Sequence, residues 1–374
     1  MRQTTAARVL LAIAFVLTLP WLASADPPIV VGNGTAASCT ETALKQALLV
    51  AQTAGGGKIR FRCGGRATIA LRGATEVNGI LVLLVLPDDT TLDGDGLITL
   101  DGTDTATVIL VDTGSNASLK QIAITNGRGP ERFDQFSPGA IANLGRLDIT
   151  KSTVSGNSAC CSGRGIGAIW NTGTLTIEQS TIAENAGVSG GGIANEGRMS
   201  IRNSLIADHD NVDSGGGLVN TGTLEIVNSR VLRNASLDGL GGGIVNFGTL
   251  RVKRTLIAKN TAIFGAGGIF NSGSLDVENT SFTRNVTVAL GDGGAISNSG
   301  DLTVENSTFS GNRGGDGGAI FTAGSATITR SVITQNTATL AGGGIFVCVE
   351  CGGSLTLRRT IVTDNTPDDI FPAP

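Results

Sequence analysis

Apolar and polar positions between Ile141 and Asn365 repeat one sentence, clearest over residues 169–185 as I-W-N-T-G-T-L-T-I-E-Q-S-T-I-A-E-N. Nine copies open on an aliphatic residue: Ile141, Ile169, Ile193, Leu218, Ile244, Ile269, Ile296, Ile320 and Ile345. In the first eight, a Ser or Thr follows eleven residues later, from Ser152 to Ser331. A polar residue closes each of those blocks at the sixteenth step: Asn157, Asn185, His209, Asn234, Asn260, Asn285, Asn312 and Asn336. The ninth copy keeps the frame with four extra residues and ends at Thr360 and Asn365. A period of about 25 residues built from short apolar alternations marks a stacked array, in which each unit buries its apolar face against the next.

Within a block the period-two alternation predicts three short strands, around Ile169, at Leu175 to Ile177 and at Thr181 to Ala183. Three strands per turn, each pairing with its equivalent one coil away, predict an all-β fold: a single-stranded parallel β-helix of about 11–12 coils. The residue before each opening aliphatic is Gly or Ala, from Ala140 to Gly344, as close backbone approach requires. Equivalent side chains then stack about 4.8 Å apart, so the Asn and Ser/Thr columns become hydrogen-bonded ladders. Length varies mainly in the links from each closing residue to the next aliphatic, which take eight to twelve steps. Such insertions mark the edge that varies with function. The longest such stretch precedes Ile141 and includes residues 127–136.

Ahead of the array, residues 1–25 carry Arg2 and Arg8, an apolar run from Val9 to Leu19, and Ala23-Ser24-Ala25. This predicts a secretory signal peptide and a secreted, extracellular or cell-surface protein. Residues 26–75 are expected to form an N-terminal cap and residues 76–374 the β-helix domain. Ser38 with Glu41 reads as a capping box, and Leu44, Ala47, Leu48 and Ala51 share one face of a short helix that covers the first coil. Cys39 and Cys63 bracket that helix, and an exported chain makes their disulfide expected. No second span of about 20 apolar residues exists, so no transmembrane segment is expected in the mature chain.

Composition agrees with closely stacked strands: Gly is 55 of 374 residues, Tyr is absent and charged residues are 16%. The net charge of −4, about −6 once the leader's two Arg are removed, gives no support to nucleic-acid binding. The chain is expected to be a monomer whose partner is a polysaccharide or a cell-envelope component.

The motifs resemble known repeats. G-G-A-I at 293–296 and 317–320, with F-T-R-N at 282–285 and F-S-G-N at 309–312, is similar to the polymorphic outer-membrane protein repeat. The wider pattern, including T-L-D-G-D-G at 91–96, resembles the right-handed β-helices of the pectin-lyase-like superfamily. The resemblance covers most of residues 90–365 and implies a fold used by polysaccharide lyases, hydrolases, adhesins and autotransporter passengers. The translocator barrel of the membrane family is not expected here. Polygalacturonase signatures are missing: Asn171-Thr172-Gly173 is followed by Thr, and no G-H-G occurs.

Five features carry candidate chemistry. Cys348 and Cys351 are expected to staple their own loop, since Cys160 and Cys161 lie about 38 Å away in coil steps; the vicinal pair itself has no account. Glu225, Arg251 and Asp276 share one column, and Glu178 stacks on Arg202, as cross-coil ion pairs on a solvated face. His209 replaces Asn in the closing ladder beside Asp208, Asp210 and Asp213. It reads either as a general base or ligand at a cation site, or as an imidazole filling an amide's place. Asp292 and Asp316 each sit four residues before an aliphatic, placed to bind Ca²⁺, to raise one pKa, or to splay apart in Asp-Gly turns. The pectate-lyase resemblance would add an Arg base, with Arg284 and Arg313 the nearest. Finally, the residue after each opening aliphatic should point outward, and this column holds Trp170, Phe270, Phe321 and Phe346. An aromatic stripe suits sugar rings; the alternative is a column covered by its loops. Two functions follow from these features: a non-catalytic glycan-binding or adhesin-like protein, or a Ca²⁺-dependent polysaccharide lyase or hydrolase. Thr arrays such as Thr172 and Thr174 leave room for a purely structural role.

Overall fold

The computed structural model describes residues 28–130, 136–159, 165–288 and 291–372. The leader expected at 1–25 and the Cys160–Cys161 pair lie outside these residues. The chain winds into a parallel β-solenoid of about 13 turns, one more than the upper end of the 11–12 expected from the repeats.

One coil shows how the sequence does this. Strand Ile169–Asn171 lies in a sheet that gathers the opening aliphatics; Thr174–Glu178 and Thr181–Ala183 lie in a long sheet shared by all coils. The chain bends between the last two at Gln179, and again at Glu184, both in the left-handed region (φ 51° and 54°). A left-handed turn costs an ordinary L-residue about 1–2 kcal/mol, which the ladders beside it offset. The link then supplies a fourth strand that the alternation did not announce: Ala186–Ser189 and its equivalents form a third parallel sheet. These strands vary from two to six residues between coils, too short and uneven to register as a period.

Inside, the opening aliphatics and the strand residues such as Leu175, Ile177 and Ile182 stack coil on coil into one dry core. Phe282 and Phe309 stack within it at 4.6 Å. The closing ladder is buried and bonded along its length. Asn260 illustrates the unit: its Nδ2 donates to Val231 O (3.0 Å) and Asn285 Oδ1 (2.9 Å), while its Oδ1 accepts the N–H and Nδ2 of Asn234. At the last coil Asp369 accepts from Asn365 Nδ2 at 2.9 Å and so ends the ladder. The Ser/Thr column bonds in the same way, Ser180 N to Ser204 Oγ at 3.1 Å. A second amide ladder runs unannounced through Asn143, Asn171, Asn195, Asn220, Asn246, Asn271 and Asn298, with contacts of 2.6–2.7 Å.

At the N-terminal end the helix α1 (Glu41–Ala54) buries Leu44, Ala47, Leu48 and Ala51 against the first coil. Its N-cap is Thr40, whose side chain accepts from Ala43 N–H, rather than Ser38. Ser38 sits in a preceding 3₁₀ turn (Ala36–Ser38), and Glu41 pairs with Lys45 and accepts from Gly73 N–H. The Ser38 box fails because the chain still needs two residues to turn onto the helix axis. Disulfides join Cys39 to Cys63 and Cys348 to Cys351. Strands Ile29–Val31, Gly57–Phe61 and Ala67–Ala70 belong to the long sheet, so the cap region is continuous with the solenoid. No helix among the described residues is long and apolar enough to cross a membrane.

Candidate glycan-binding groove

The outward column lies on the outer face of the sheet that holds the opening aliphatics. In Ile169–Asn171 the flanking residues turn into the core and Trp170 is half-buried outside it. The column is not uniformly open. At its N-terminal end a hairpin of Thr75–Val77 and Ile80–Leu86 covers it, packing Ile80 and Val82 on Leu110 and Ala142 as a second apolar cluster with Trp170 at its margin.

Trp170 is held on two sides. Its ring lies 5.5 Å from Phe136, and its Nε1–H donates to Glu196 Oε1 at 3.1 Å. The next two coils place small residues in the column, Ala194 and Val219, and the floor drops. A groove of about 380 Å³ opens there, with Phe136 at one end, Phe247 at the other, and Glu196 and Thr221 along one edge. Phe247 is 49% exposed and meets Phe270 edge-on at 6.3 Å.

Beyond Phe270 the column changes character. Ser297 is buried, and Phe321, Phe346 and Phe371 stack at 5.5 and 5.4 Å with planes only 10° and 21° apart. Rings stacked along the coil axis turn their faces to one another and their edges to water. A sugar's C–H surface needs a ring face, so this stretch is a weaker platform than the groove. Trp170 and Phe270 stand at the groove's margins, whereas Phe321 and Phe346 lie outside it.

Phe136, Phe247, Glu196 and Thr221 were not singled out by the sequence reading. The signal for three of them was a further column, three residues after the opening aliphatic, where Thr172, Glu196, Thr221, Phe247, Ser272 and Ser299 succeed one another. Phe247 is the one aromatic residue in it.

The other candidates fall apart from this face. His209 is fully buried in the closing ladder, where Nδ1 accepts from Asn185 N–H at 3.1 Å and Nε2 has no hydrogen-bond partner. Burial lowers its pKa to about 4, opposed by the Asn185 and Ile182 carbonyls and by Asp208. Asp208 turns away to a bidentate pair with Arg233 at 2.6 Å, and among the described residues no three His, Cys, Asp or Glu gather to hold a metal ion. Thus Asp208, Asp210 and Asp213 do not form a cation site around His209, because the left-handed turn sends the ring inward and Asp208 outward. Asp292 and Asp316 continue the position that Ser189 and Ser214 hold beside the groove. Burial and then the charge of Asp316 raise Asp292 to about 6; burial also raises Asp316, though Ala341 N–H opposes it. Arg313 is exposed on strand Arg313–Gly314 in the third sheet, three residues before Asp316. On the long sheet Arg251 meets Asp276 at 3.1 Å as expected, but Arg202 bonds Glu225 rather than Glu178.

The model of a right handed beta helix region matches residues 250–370. The fold is a right-handed parallel β-helix. This β-helix is similar to the crystal structure of PfbA, a surface adhesin of Streptococcus pneumoniae, at 11% identity over 89% of each chain with a TM-score of 0.47. It is similar also to the A-module of the Azotobacter vinelandii mannuronan C-5 epimerase AlgE6, at 13% identity over 91% of this chain and 95% of that one, TM-score 0.41. No curated protein matches the sequence. What those two proteins bind or modify is theirs, and the fold rests on the strand pairing itself.

Proposed function

We propose that this β-helix is an exported, non-catalytic protein that binds a glycan chain in the groove between Trp170 and Phe247. The observation that carries the reading is the groove itself: an apolar floor of Ala194 and Val219, aromatic ends, and hydrogen-bonding groups at Glu196 and Thr221 along one edge. That combination presents C–H-complementary surface and hydroxyl partners together, in a volume within the usual range for ligand sites. Export is supported by the leader pattern at 1–25 and by two disulfides, which persist in oxidising compartments. The partner is then an extracellular or cell-surface polysaccharide.

The test is retention of the secreted protein on immobilised neutral and acidic glycans, with reducing ends and unsaturated products measured alongside. Retention without product, lost in Ala194→Phe, supports the reading; retention unaffected by filling the groove removes it.

A second reading is favoured by the placing of Asp292 and Asp316 at equivalent positions of adjacent coils, where burial and the neighbouring charge favour the protonated Asp292 and so suit a general acid in a polysaccharide-cleaving site. Product formation, with or without Ca²⁺, that disappears in Asp292→Asn would replace binding by catalysis.

A further inference from the structure

The bend of the long sheet forms a concave trough down the solenoid, and its occupants differ along its length. In the middle coils two cations at the bend are engaged by neighbouring coils: Arg254 Nε donates to Asn228 Oδ1 at 2.8 Å, and Arg330 Nε to Asn306 Oδ1 at 3.0 Å, with Glu305 taking its other nitrogen. At the N-terminal end this does not happen. There the strand Thr90–Asp101 slips register between Asp93 and Ile98, and the extra residues push Gly96 and Leu97 out of the regular bend. The trough there encloses about 490 Å³, lined by Arg66, Thr68, Leu97, Gln121, Lys151 and Thr153 among others.

Arg66 and Lys151 are both exposed, and neither head group has an ion-pair or hydrogen-bond partner among the described residues. They stand at opposite ends of the trough, three coil steps or about 14 Å apart. Between them lie the hydroxyls of Thr68 and Thr153, the Gln121 amide and the Leu97 side chain, 39% exposed. One small anion cannot meet both cations at that distance. A linear chain with hydroxyls along its length and fixed negative groups at intervals can. The guanidinium fork and the three ammonium donors match the oxygens of a sulfate ester.

We infer that this trough is a second ligand site, separate from the groove on the neighbouring sheet, and that it takes a sulfated glycan lying along the coil axis. The chain's net charge of −4 disfavours polyanions elsewhere on its surface, so such binding is local rather than diffuse.

The probe is dextran sulfate against unmodified dextran of equal length, titrated onto the full secreted chain at 50 and 200 mM salt. The expected result is saturable binding of dextran sulfate alone, weakened by salt. Arg66→Gln with Lys151→Gln lowers the affinity at least tenfold, while Arg251→Gln, a cation already paired with Asp276, leaves it unchanged. Both positions are exposed, and an unaltered circular dichroism spectrum checks the fold of the double variant. No binding, equal binding of plain dextran, or wild-type affinity in the double variant overturns the inference. So does a loss of dextran sulfate binding in Ala194→Phe, which would place the ligand in the groove instead.

Discussion

Nε2 of His209 lies against the backbone of Gly192: a β-carbon on that glycine would stand 2.6 Å from the imidazole nitrogen. Some coils whose ladder residue is Asn carry Ala at the equivalent position, as Ala168 does with Asn185, Ala295 with Asn312 and Ala319 with Asn336, while others keep Gly, as Gly243 does with Asn260. Imidazole is bulkier than an amide, and the glycine makes room for it. Gly192→Ala is therefore expected to destabilise the solenoid by about 2 kcal/mol more than Gly243→Ala, which faces Asn260. Urea unfolding of both variants measures this. In a His209→Asn background the difference should vanish, and its persistence would show that the backbone rather than the ring is the obstacle.

The same histidine gives the fold an acid-sensitive point. Its folded pKa, about 4, lies below the ordinary 6.5, so the unfolded chain binds the proton more readily between those values. Its contribution is complete above pH 6.5 and is lost as pH falls towards 4, amounting to roughly 3 kcal/mol across the window. Stability measured from pH 7 to 4 should fall more steeply in the wild type than in His209→Asn, which restores the amide. Parallel pH profiles would mean that the imidazole is not buried as a neutral group.

The closing ladder predicts a contrast between two asparagines. Asn260→Ala removes two donated bonds, strands the N–H of Asn234 and leaves its Nδ2 only the Ile206 carbonyl, all buried, for an expected cost of about 3 kcal/mol. Asn228→Ala, at the exposed bend, loses the contact with Arg254 and the tolerance of Asn for its left-handed φ of 50°, and should cost about 1 kcal/mol. Thermal melts of the two variants decide it; similar costs would mean that the ladder contributes little.

Asp292 supplies a prediction of opposite sign to His209. Its raised pKa, about 6, means that folding disfavours the charged carboxylate, so stability falls as pH rises from 3.8 through 6. With the side chain half-exposed, solvent screening keeps the effect near or below about 1 kcal/mol. Asp292→Asn should raise the melting temperature at pH 8 and leave it unchanged at pH 3.5. A variant that melts lower at pH 8 would instead show the carboxylate engaged by a favourable partner.

These tests bear unequally on what the chain announces by itself. Core positions are spaced rigidly, so Ile169, Ser180 and Asn185 with their equivalents declare the coil, its ladders and its register. The amide ladder through Asn171 went unread because Asn-Thr-Gly looks like turn chemistry, and the third sheet because its strands are as short as Val286–Thr287. The groove was harder still. Its floor is defined by residues that are small, Ala194 and Val219, and its walls by Phe136 and Phe247 from links and turns that differ between coils. Pointing outward was readable in the aromatic column; that Phe321, Phe346 and Phe371 would satisfy one another by stacking was not, since it depends on ring orientation.

The central claim, a glycan chain held between Trp170 and Phe247, can be measured at the site itself. The chain has two Trp, Trp21 and Trp170, so in a chain beginning at Asp26, as the proposed export would leave it, Trp170 is the sole indole and reports on the groove it borders. Titrating the secreted protein with each glycan it retains should shift Trp170 emission saturably, with the same midpoint as retention, and Ala194→Phe should abolish both. A retained glycan that leaves Trp170 emission unchanged, in wild type and variant alike, would contradict the groove as the binding site.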